Sequence, residues 1–172
     1  MRIVFLTTGG TIDKVYFDEL SRFEVGETVL GKILRDGGVS FEFEVIPLLR
    51  KDSLELDDAD RAAIRAAVAA RAEERIVVTH GTDTMVDTAR VLAGIRGKTI
   101  VMTGALSPAR FQASDAVFNI GMAVAAAQTC PPGVWIAMSG QVFRHDRVRK
   151  NRDRNRFEAT DGASEPAAGS SG

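Results

Sequence analysis

Apolar and polar positions alternate along this chain in blocks that differ in length and period. Five short blocks rich in β-branched or aromatic residues predict strands, at residues 2–8, 41–48, 75–79, 99–103 and 134–138. Four of these blocks are almost continuously apolar, as in parallel strands that are covered on both faces. The block at 41–48 instead alternates glutamate with apolar residues, which predicts that one of its faces meets solvent.

Longer helix-forming blocks lie between the predicted strands, at residues 27–35, 57–74, 84–92 and 114–128. The last of them starts with a Ser-Asp cap and carries no charge after Asp115, which predicts burial by the sheet and by another subunit. Strands that alternate with helices predict an α/β fold, doubly wound, with a mostly parallel sheet and helices on both faces, of Rossmann/flavodoxin-like type.

Length and charge narrow the possible functions. The 172 residues suffice for one domain, which we expect at residues 1–160, followed by a flexible polar tail at 161–172. The 22 Lys and Arg against 23 Asp and Glu give a net charge of −1, which argues against a dedicated nucleic-acid binder. No run approaches the roughly 18 apolar residues that span a membrane, and the single cysteine favours a reducing cytoplasm.

Four of the predicted strands run into loops of one kind, rich in glycine and hydroxyl side chains. These loops are TGGT at 8–11, HGTDT at 80–84, GALS at 104–107 and SGQ at 139–141. In a parallel sheet the carboxyl ends of the strands meet at one edge, where ligands bind. Glycine in any single loop could simply turn the chain, but four such loops at one edge predict a ligand site.

The reactive residues at this edge are threonines and an aspartate, together with a lysine further along the chain. Threonine becomes a nucleophile when a base removes its proton, which suits attack on an amide or ester carbonyl. Asp83 could merely cap the helix that begins at Thr84, and this capping is compatible with a catalytic role. No phosphate motif and no G-x-S-x-G elbow occurs. His80 and His145 lack metal-ligand spacing, so we expect neither cofactor nor metal.

Two longer motifs are specific: T-G-G-T-I at residues 8–12 and V-T-H-G-T-D-T-M at 78–85. In this order, each after a strand, they resemble the bacterial-type L-asparaginases, threonine amidohydrolases that convert asparagine to aspartate and ammonia. The resemblance extends over about residues 1–160, through V-x-T-G-A at 101–105 and F-x-x-S-D at 111–115. The chain looks like a short, single-domain branch of that family that lacks the C-terminal domain.

The resemblance implies roles for individual residues. Thr11 would be the nucleophile that forms the acyl-enzyme. Thr82 would be the second catalytic threonine, acting with Asp83 and Lys150 to activate a hydroxyl or water. Lys150 is assigned by its spacing, eight residues after Val142. Asp83 would also hold the α-amino group of the substrate.

The resemblance also implies the substrate contacts. Ser53 would bind the α-carboxylate, with Asp52 beside it, and Ala105 would present its carbonyl to the amide nitrogen. Backbone N–H groups around Thr11 and Thr82 would hold the oxyanion. The residues assigned to substrate binding are Gly10, Asp52, Ser53, Gly81 and Ala105.

The sequence departs from the family in three respects, one of which is that oligomer contacts in the family involve both domains, so any assembly must be built differently here. The family's tyrosine on the loop after the first strand aligns with Phe23, and the single tyrosine, Tyr16, would either replace it or only pack. That loop, at 13–26, would close over the site and exclude water. The carboxylate that a neighbouring subunit's second domain lends to the substrate ammonium has no counterpart, which predicts weaker recognition of the amino group.

Alternative interpretations stay open. The chain could be a non-catalytic amino-acid-binding module. The charged block at 144–156 could contact nucleic acid, although a solvated or subunit-bridging face is the simpler interpretation. The preference between asparagine and glutamine also stays open, since one methylene is worth only about 1–3 kcal/mol. We expect a cytoplasmic homo-oligomer, a dimer or tetramer joined through the helix at 114–128. Its partner would be the small molecule L-asparagine, with no nucleic acid and no membrane.

Overall fold

The computed structural model describes residues 1–17 and 22–160, so the tail predicted at 161–172 lies outside the described residues. The strands are β1 Arg2–Gly9, β2 Lys14–Phe17, β3 Arg22–Val25, β4 Glu42–Lys51, β5 Arg75–Thr79, β6 Thr99–Thr103, β7 Gly133–Met138, β8 Gln141–Arg144, β9 Val148–Asn151 and β10 Arg156–Ala159. The helices are α1 Leu30–Asp36, α2 Asp58–Ala70, α3 Met85–Leu92 and α4 Ala116–Thr129. Within this described part, no helix has the length and apolar character that crossing a membrane requires.

The central sheet of the described residues has six strands in the order β4-β1-β5-β6-β7-β8. The first five run parallel, and β8 pairs antiparallel with β7 at one edge. The parallel strands therefore follow the order second, first, third, fourth and fifth along the chain, which is the flavodoxin-like arrangement. In this arrangement the ligand crevice lies where the strand order reverses, at the carboxyl ends of β1 and β5.

Alternate residues of the central strands enter two separate core layers. In β1, Val4 and Leu6 pack with side chains of α2 and α3, whereas Ile3 and Phe5 pack with side chains of α1 and α4. All four are at most 1% exposed, which is the burial that period-two alternation gives when both faces of a sheet are covered. The predicted α/β fold, doubly wound with helices on both faces, is confirmed.

The outer strand β4 has the partial exposure that its alternating pattern predicted. Phe43 packs against one core layer, whereas Glu44 is half-exposed and forms ion pairs with Arg2 and Arg71 at 2.6 and 2.9 Å. Pro47 lies exposed in the middle of this edge strand. At the opposite edge, β8 is only four residues long.

The helices begin close to their predicted starts, but α2 ends early. Its first turn is closed by a capping box in which Asp57 accepts a hydrogen bond from the backbone N–H of Asp60. The helix ends at Ala70 rather than at residue 74, because Arg71 adopts an extended backbone and pairs with Glu44 and Glu73.

Two hairpins form where the sequence predicted a loop and a solvated charged block. Residues 13–26 contain the antiparallel pair β2 and β3, and the block at 144–156 contributes β9, which pairs with β10. In the second hairpin Val148 and Phe157 turn inward and are 3% and 2% exposed, whereas the side chain of Arg149 is 66% exposed. Strands this short carry too few apolar residues to be recognised by their pattern.

Phe157 joins this second hairpin to the core, so its truncation tests that anchoring. We expect Phe157→Ala to lower the free energy of unfolding by about 3–5 kcal/mol, because a large buried ring is lost and a cavity remains. Urea denaturation followed by circular dichroism measures the change. Phe157→Leu keeps more of the apolar volume and should lose clearly less. A loss below about 1 kcal/mol for the alanine variant would contradict the anchoring.

Candidate active site

The loops that follow β1 and β5 touch through two glycines. Gly10 has a φ of +84°, in the region that favours glycine. A Cβ on Gly10 would lie 2.5 Å from the backbone N and Cα of Gly81, far inside any allowed contact between such atoms. The missing side chains let the two backbones meet, and this contact brings together the loops that carry Thr11 and Thr82.

Ser53 lies on the other side of Gly81. A Cβ on Gly81 would lie 2.6 Å from both Cβ and Oγ of Ser53, and the Ser53 carbonyl accepts a hydrogen bond from Thr84 Oγ1 at 2.8 Å. Ser53 is only 1% exposed, and its Oγ has no hydrogen-bond partner among the residues that the structure describes. A buried hydroxyl in this state costs about 1–3 kcal/mol, which a ligand oxygen would relieve.

Thr11 opens the 3-10 turn Thr11–Asp13 directly after Gly10. The turn is held from both sides: the Gly10 N–H donates to the Lys51 carbonyl at 2.9 Å, and the Ile12 carbonyl accepts from the Ala109 N–H at 3.0 Å. Ile12 is 2% exposed, whereas Thr11 is only partly buried. Thr11 is therefore the residue of the turn that a ligand in the crevice can reach.

Lys150 joins the two polar residues that follow Gly81. Its Nζ donates hydrogen bonds to Thr82 Oγ1 and to Asp83 Oδ1, both at 2.7 Å. The Lys150 side chain is 9% exposed and that of Asp83 is 35% exposed, so the ion pair is largely shielded from water. Thr84 is the N-cap of α3 and makes no side-chain capping bond. The capping interpretation of Asp83 is wrong, because α3 begins at Met85 and its N-cap is Thr84, one residue after Asp83. The Asp83 carboxylate pairs with Lys150.

The alternation of β9 explains how a lysine from a charged block reaches the sheet edge. Val148 and Lys150 lie two residues apart and turn inward, with Val148 in the core and Lys150 at the end of β5. On β10, Lys150 has Phe157 as its cross-strand partner, and Phe157 is buried in the same core. One face of the hairpin is therefore apolar and buried, and the Lys150 amine lies on this same face.

The outward face of this hairpin is a network of ion pairs. Glu158 contacts Arg149, Arg154 and Arg156 at 3.6, 3.7 and 2.8 Å. Hydrogen bonds from Asn151 and Arg156 lower the pKa of the Glu158 carboxyl. Glu158 partly neutralises the positive charge of these arginines, as is typical of a solvated protein surface. This pairing favours a solvated face over a nucleic-acid contact as the interpretation of the charged block.

The loop after β6 is fastened to the same edge. A Cβ on Gly104 would overlap with the His80 carbonyl oxygen, and Ala105, the next residue, is 1% exposed. Asp115 accepts hydrogen bonds from the backbone N–H groups of Leu106 and Ser107 at 3.0 Å. The predicted Ser-Asp cap is thus wrong for Asp115, which makes no capping bond to α4 and instead braces this loop.

His80 is a site residue for which the sequence analysis predicted no role. It is fully buried. Its Nδ1 lies 2.7 Å from the Gly81 carbonyl, and its Nε2 lies 2.8 Å from Thr88 Oγ1. Because a carbonyl only accepts, Nδ1 carries the proton that is donated to Gly81, and Nε2 accepts from the Thr88 hydroxyl. Burial lowers the pKa of His80 to about 4, with Arg61 adding to the shift and the Gly81 hydrogen bond and Asp87 opposing it.

Asp52 lies beside Ser53, but its carboxylate is engaged locally. It accepts a hydrogen bond from the Leu54 N–H at 3.2 Å as the N-cap of the turn Ser53–Glu55, and it pairs with Lys14 Nζ at 2.7 Å. Burial raises the pKa of Asp52, but the hydrogen bonds from Lys14 and the backbone more than offset this effect, so the pKa lies below its ordinary value. The expected part of Asp52 in substrate binding stays a prediction.

Tyr16 and Phe23 are direct cross-strand partners in the hairpin of β2 and β3. The two candidate positions for the family's tyrosine are therefore neighbours on adjacent strands of the hairpin. Their side chains lie outside what the structure describes, and the role of Tyr16 stays a prediction.

The groups that meet at this edge are two threonines, a serine, an aspartate and a lysine, with backbone from three loops. A nucleophilic hydroxyl with an amine and a carboxylate close by suits attack on a carbonyl carbon. Within residues 1–17 and 22–160, no group of three or more His, Cys, Asp or Glu residues lies close enough to hold a metal ion.

The buried His80 predicts a specific pH dependence of stability. The unfolded chain binds a proton at His80 near the ordinary pKa of 6.5, whereas the folded protein binds it only near pH 4. Between these values the unfolded state holds more protons, so the free energy of unfolding should fall as the pH drops, by up to about 3 kcal/mol from this residue. Urea denaturation at several pH values should give a shallower slope for His80→Asn than for the unaltered chain. Equal slopes would contradict a neutral, buried His80.

Comparisons with known proteins agree with this geometry. The family model described as "Asparaginase, N-terminal" matches residues 2–170. A curated L-asparaginase from Thermococcus kodakarensis is 33% identical over 160 residues, which cover 87% of this chain and 48% of that protein. The chain thus spans about half the length of this curated relative.

Solved structures show the same likeness. The thermostable L-asparaginase from Thermococcus kodakarensis matches with a TM-score of 0.78 and 25% identity, over 100% of this chain and 59% of that chain. L-asparaginase I from Vibrio cholerae O1 biovar eltor str. N16961 matches with a TM-score of 0.77 and 25% identity, over 92% of this chain and 51% of that chain. The resemblance inferred from the two threonine motifs is confirmed, and the chain belongs to the asparaginase family, whose N-terminal region it matches.

Proposed function

We propose that residues 1–160 form the catalytic unit of an amidohydrolase that converts L-asparagine to L-aspartate and ammonia through a threonine acyl-enzyme. The observation that supports this proposal most strongly is the pair of 2.7 Å hydrogen bonds from Lys150 to Thr82 and Asp83. These bonds lie beside the loop of Thr11, and the proteins to which the chain is similar are named L-asparaginases.

In the first step, Thr11 Oγ attacks the carbonyl carbon of the side-chain amide. The carbon–nitrogen bond then breaks, and ammonia leaves with the proton that the Thr11 hydroxyl gave up. The developing charge on the carbonyl oxygen is held by backbone N–H groups around Thr11 and Thr82, which the Gly10–Gly81 contact keeps in place.

In the second step, water attacks the acyl-enzyme, and the bond between the acyl carbon and Thr11 Oγ breaks. Thr82 takes part in proton transfer because its Oγ1 is hydrogen-bonded to Lys150 Nζ. Lys150 accepts a proton only after it has released its own, and Asp83 orients the amine during this exchange. The products are aspartate and a free Thr11.

Substrate binding uses polar groups of three loops at the sheet edge. The unpartnered Ser53 Oγ binds the α-carboxylate, Asp83 binds the α-ammonium, and the Ala105 carbonyl accepts from the amide nitrogen. Tyr16 on the hairpin that follows Thr11 assists the nucleophile. No cofactor is part of this mechanism.

The proposal extends to assembly and location. Val117 and Phe118 on the outer side of α4 are 60% and 63% exposed. The helix between its ends at Ala116 and Thr129 carries no charged residue. Such a surface suits contact with another protein, and we propose that it joins two copies of the chain. The single cysteine favours the cytoplasm as the site of the reaction.

Replacement of the nucleophile is the direct test of the mechanism. Thr11→Ala should lower kcat for ammonia release from asparagine at least about a thousandfold, with the circular dichroism spectrum unchanged. Thr11→Ser keeps a hydroxyl and should retain measurable activity. Glutamine assayed in parallel gives the preference between the two amides.

Thr129→Ala is the matched control, because Thr129 lies at the end of α4, beside the start of β6 rather than at the carboxyl ends of the strands. In the described contacts its side chain hydrogen-bonds the Ala125 carbonyl and the Cys130 thiol. It should leave ammonia release unchanged. If the unaltered chain binds asparagine in calorimetry but releases no ammonia, the binding-module interpretation replaces the enzyme.

Ser53→Ala separates binding from stability. Because the Ser53 hydroxyl is buried without a described partner, its removal should leave the free energy of unfolding unchanged or raise it by about 1 kcal/mol. The KM for asparagine should rise about tenfold or more, since a charge-assisted hydrogen bond to the α-carboxylate is lost. An unchanged KM would show that Ser53 does not bind the substrate.

A further inference from the structure

Asp13 is a buried carboxylate in the turn that carries Thr11, and the mechanism above gives it no role. It is 3% exposed and ends the 3-10 turn Thr11–Asp13. Its backbone N–H donates to the Gly10 carbonyl at 3.2 Å, and its carbonyl accepts from the Gly26 N–H at 2.9 Å. The backbone of Asp13 therefore closes the turn and also ties it to the end of the hairpin that follows.

The side chain of Asp13 adds a second tie. It accepts hydrogen bonds from the Thr28 hydroxyl and from the Val29 backbone N–H. Thr28 Oγ1 in turn accepts from the Leu30 N–H at 3.3 Å, at the start of α1. These bonds connect the turn of Thr11 to a helix that is packed in the core through Leu30 and Leu34.

The group that makes these hydrogen bonds, the Asp13 carboxylate, is unfavourable to bury. Burial raises the pKa of the Asp13 carboxyl above its ordinary value, although Thr28, Val29 and the charges of Arg110 and Arg50 oppose the shift. A raised pKa means that the ionised form destabilises the folded state at neutral pH. An apolar side chain like that of the neighbouring Ile12 would fill a buried position without this cost, so the directed hydrogen bonds of the carboxylate are what distinguish Asp13.

We propose that Asp13 is a positioning residue that fixes the turn of Thr11 so that its hydroxyl faces the substrate carbonyl. The proposal rests on the proposed function of Thr11 as the nucleophile. Asp13 acts through the turn, because its contacts are to backbone groups and to Thr28. The assigned substrate contacts, at Ser53 and Asp83, come from other loops and do not depend on this tie.

The consequence is a separation between kcat and KM. A displaced nucleophile lowers the rate of acylation, and a misplacement of about 1 Å costs on the order of a hundredfold. Substrate binding at the other loops changes little. Asparagine in place of Asp13 keeps an oxygen that accepts from Val29 and Thr28, and it removes the buried charge.

The test compares Asp13→Ala, Asp13→Asn and Thr28→Val by steady-state kinetics with asparagine, normalised to folded protein. We expect Asp13→Ala to lower kcat about tenfold or more, with KM within about threefold. Asp13→Asn should restore kcat to within about threefold and raise the midpoint of thermal unfolding at neutral pH. Thr28→Val, which keeps the shape but removes the hydroxyl donor, should lower kcat in the same direction as the alanine variant, and this readout remains if Asp13→Ala does not fold.

Asp36→Ala is the matched control, because Asp36 is an exposed aspartate on α1 that is paired only with Lys32 in the described contacts. It should leave kcat and KM unchanged. A kcat per folded molecule that stays within about twofold in both Asp13→Ala and Thr28→Val would overturn the proposal, as would a rise in KM that accounts for the whole loss.

Measurement of backbone hydrogen exchange tests the positioning role of Asp13 independently of the proposed reaction. Asp13→Ala should speed exchange at the N–H groups of residue 13 and of Gly26, which donate to the carbonyls of Gly10 and residue 13, and Asp13→Asn should not. If the unaltered chain releases no ammonia, the proposed function fails, while exchange in the turn still decides whether Asp13 fixes it. Unchanged exchange in Asp13→Ala would overturn the positioning role even in an active enzyme.

Discussion

The direct contact between the backbones of Gly10 and Gly81, with Ser53 on the far side, sets the geometry on which the remaining site depends. A Cβ on Gly10 would lie 2.5 Å from the backbone of Gly81, and a Cβ on Gly81 would lie 2.6 Å from Ser53. The three segments that carry these residues meet this closely because the two glycines have no side chain. Each segment follows a strand of one parallel sheet. The sheet therefore defines the edge, and the missing side chains let hydroxyl groups from different loops converge there. His80 reinforces the arrangement, because its buried neutral ring donates to the Gly81 carbonyl.

The amine reaches this edge by another route. Lys150 is 68 residues from Thr82 along the chain, and β9, which carries it, is not part of the central sheet. Its position depends on Val148 and Phe157, which fix the hairpin in the core. Apolar packing thus places the one charged group that must lie near both Thr82 and Asp83. A salt bridge alone would not hold such an element, because exposed pairs like those around Glu158 contribute little.

The sequence predicted the parts of the structure that depend on local pattern. The runs that became β5 and β6 are almost continuously apolar, and the residues after β1, β5 and β6 carry glycine and hydroxyl groups. Lys150 was found only through the spacing of a known family. The hairpins at β2 and β3 and at β9 and β10 were missed, because strands of four residues are too short for a recognisable pattern. The second hairpin also depends on long-range packing of only Val148 and Phe157. Asp13 and His80 gave no signal either, since burial of a polar side chain depends on segments distant in sequence.

The two edges of the central sheet limit how copies of this fold can meet. Pro47 lies exposed within β4 and has no N–H to donate, and the glutamates at 42 and 44 add charge to the same strand. β8 closes the opposite edge with four residues, one of them Arg144. Among the described residues, the row of backbone donors on β4 is therefore interrupted at Pro47, and that on β8 is only four residues long. Continuous addition of strands at these edges, which is how fibrils grow, is therefore disfavoured.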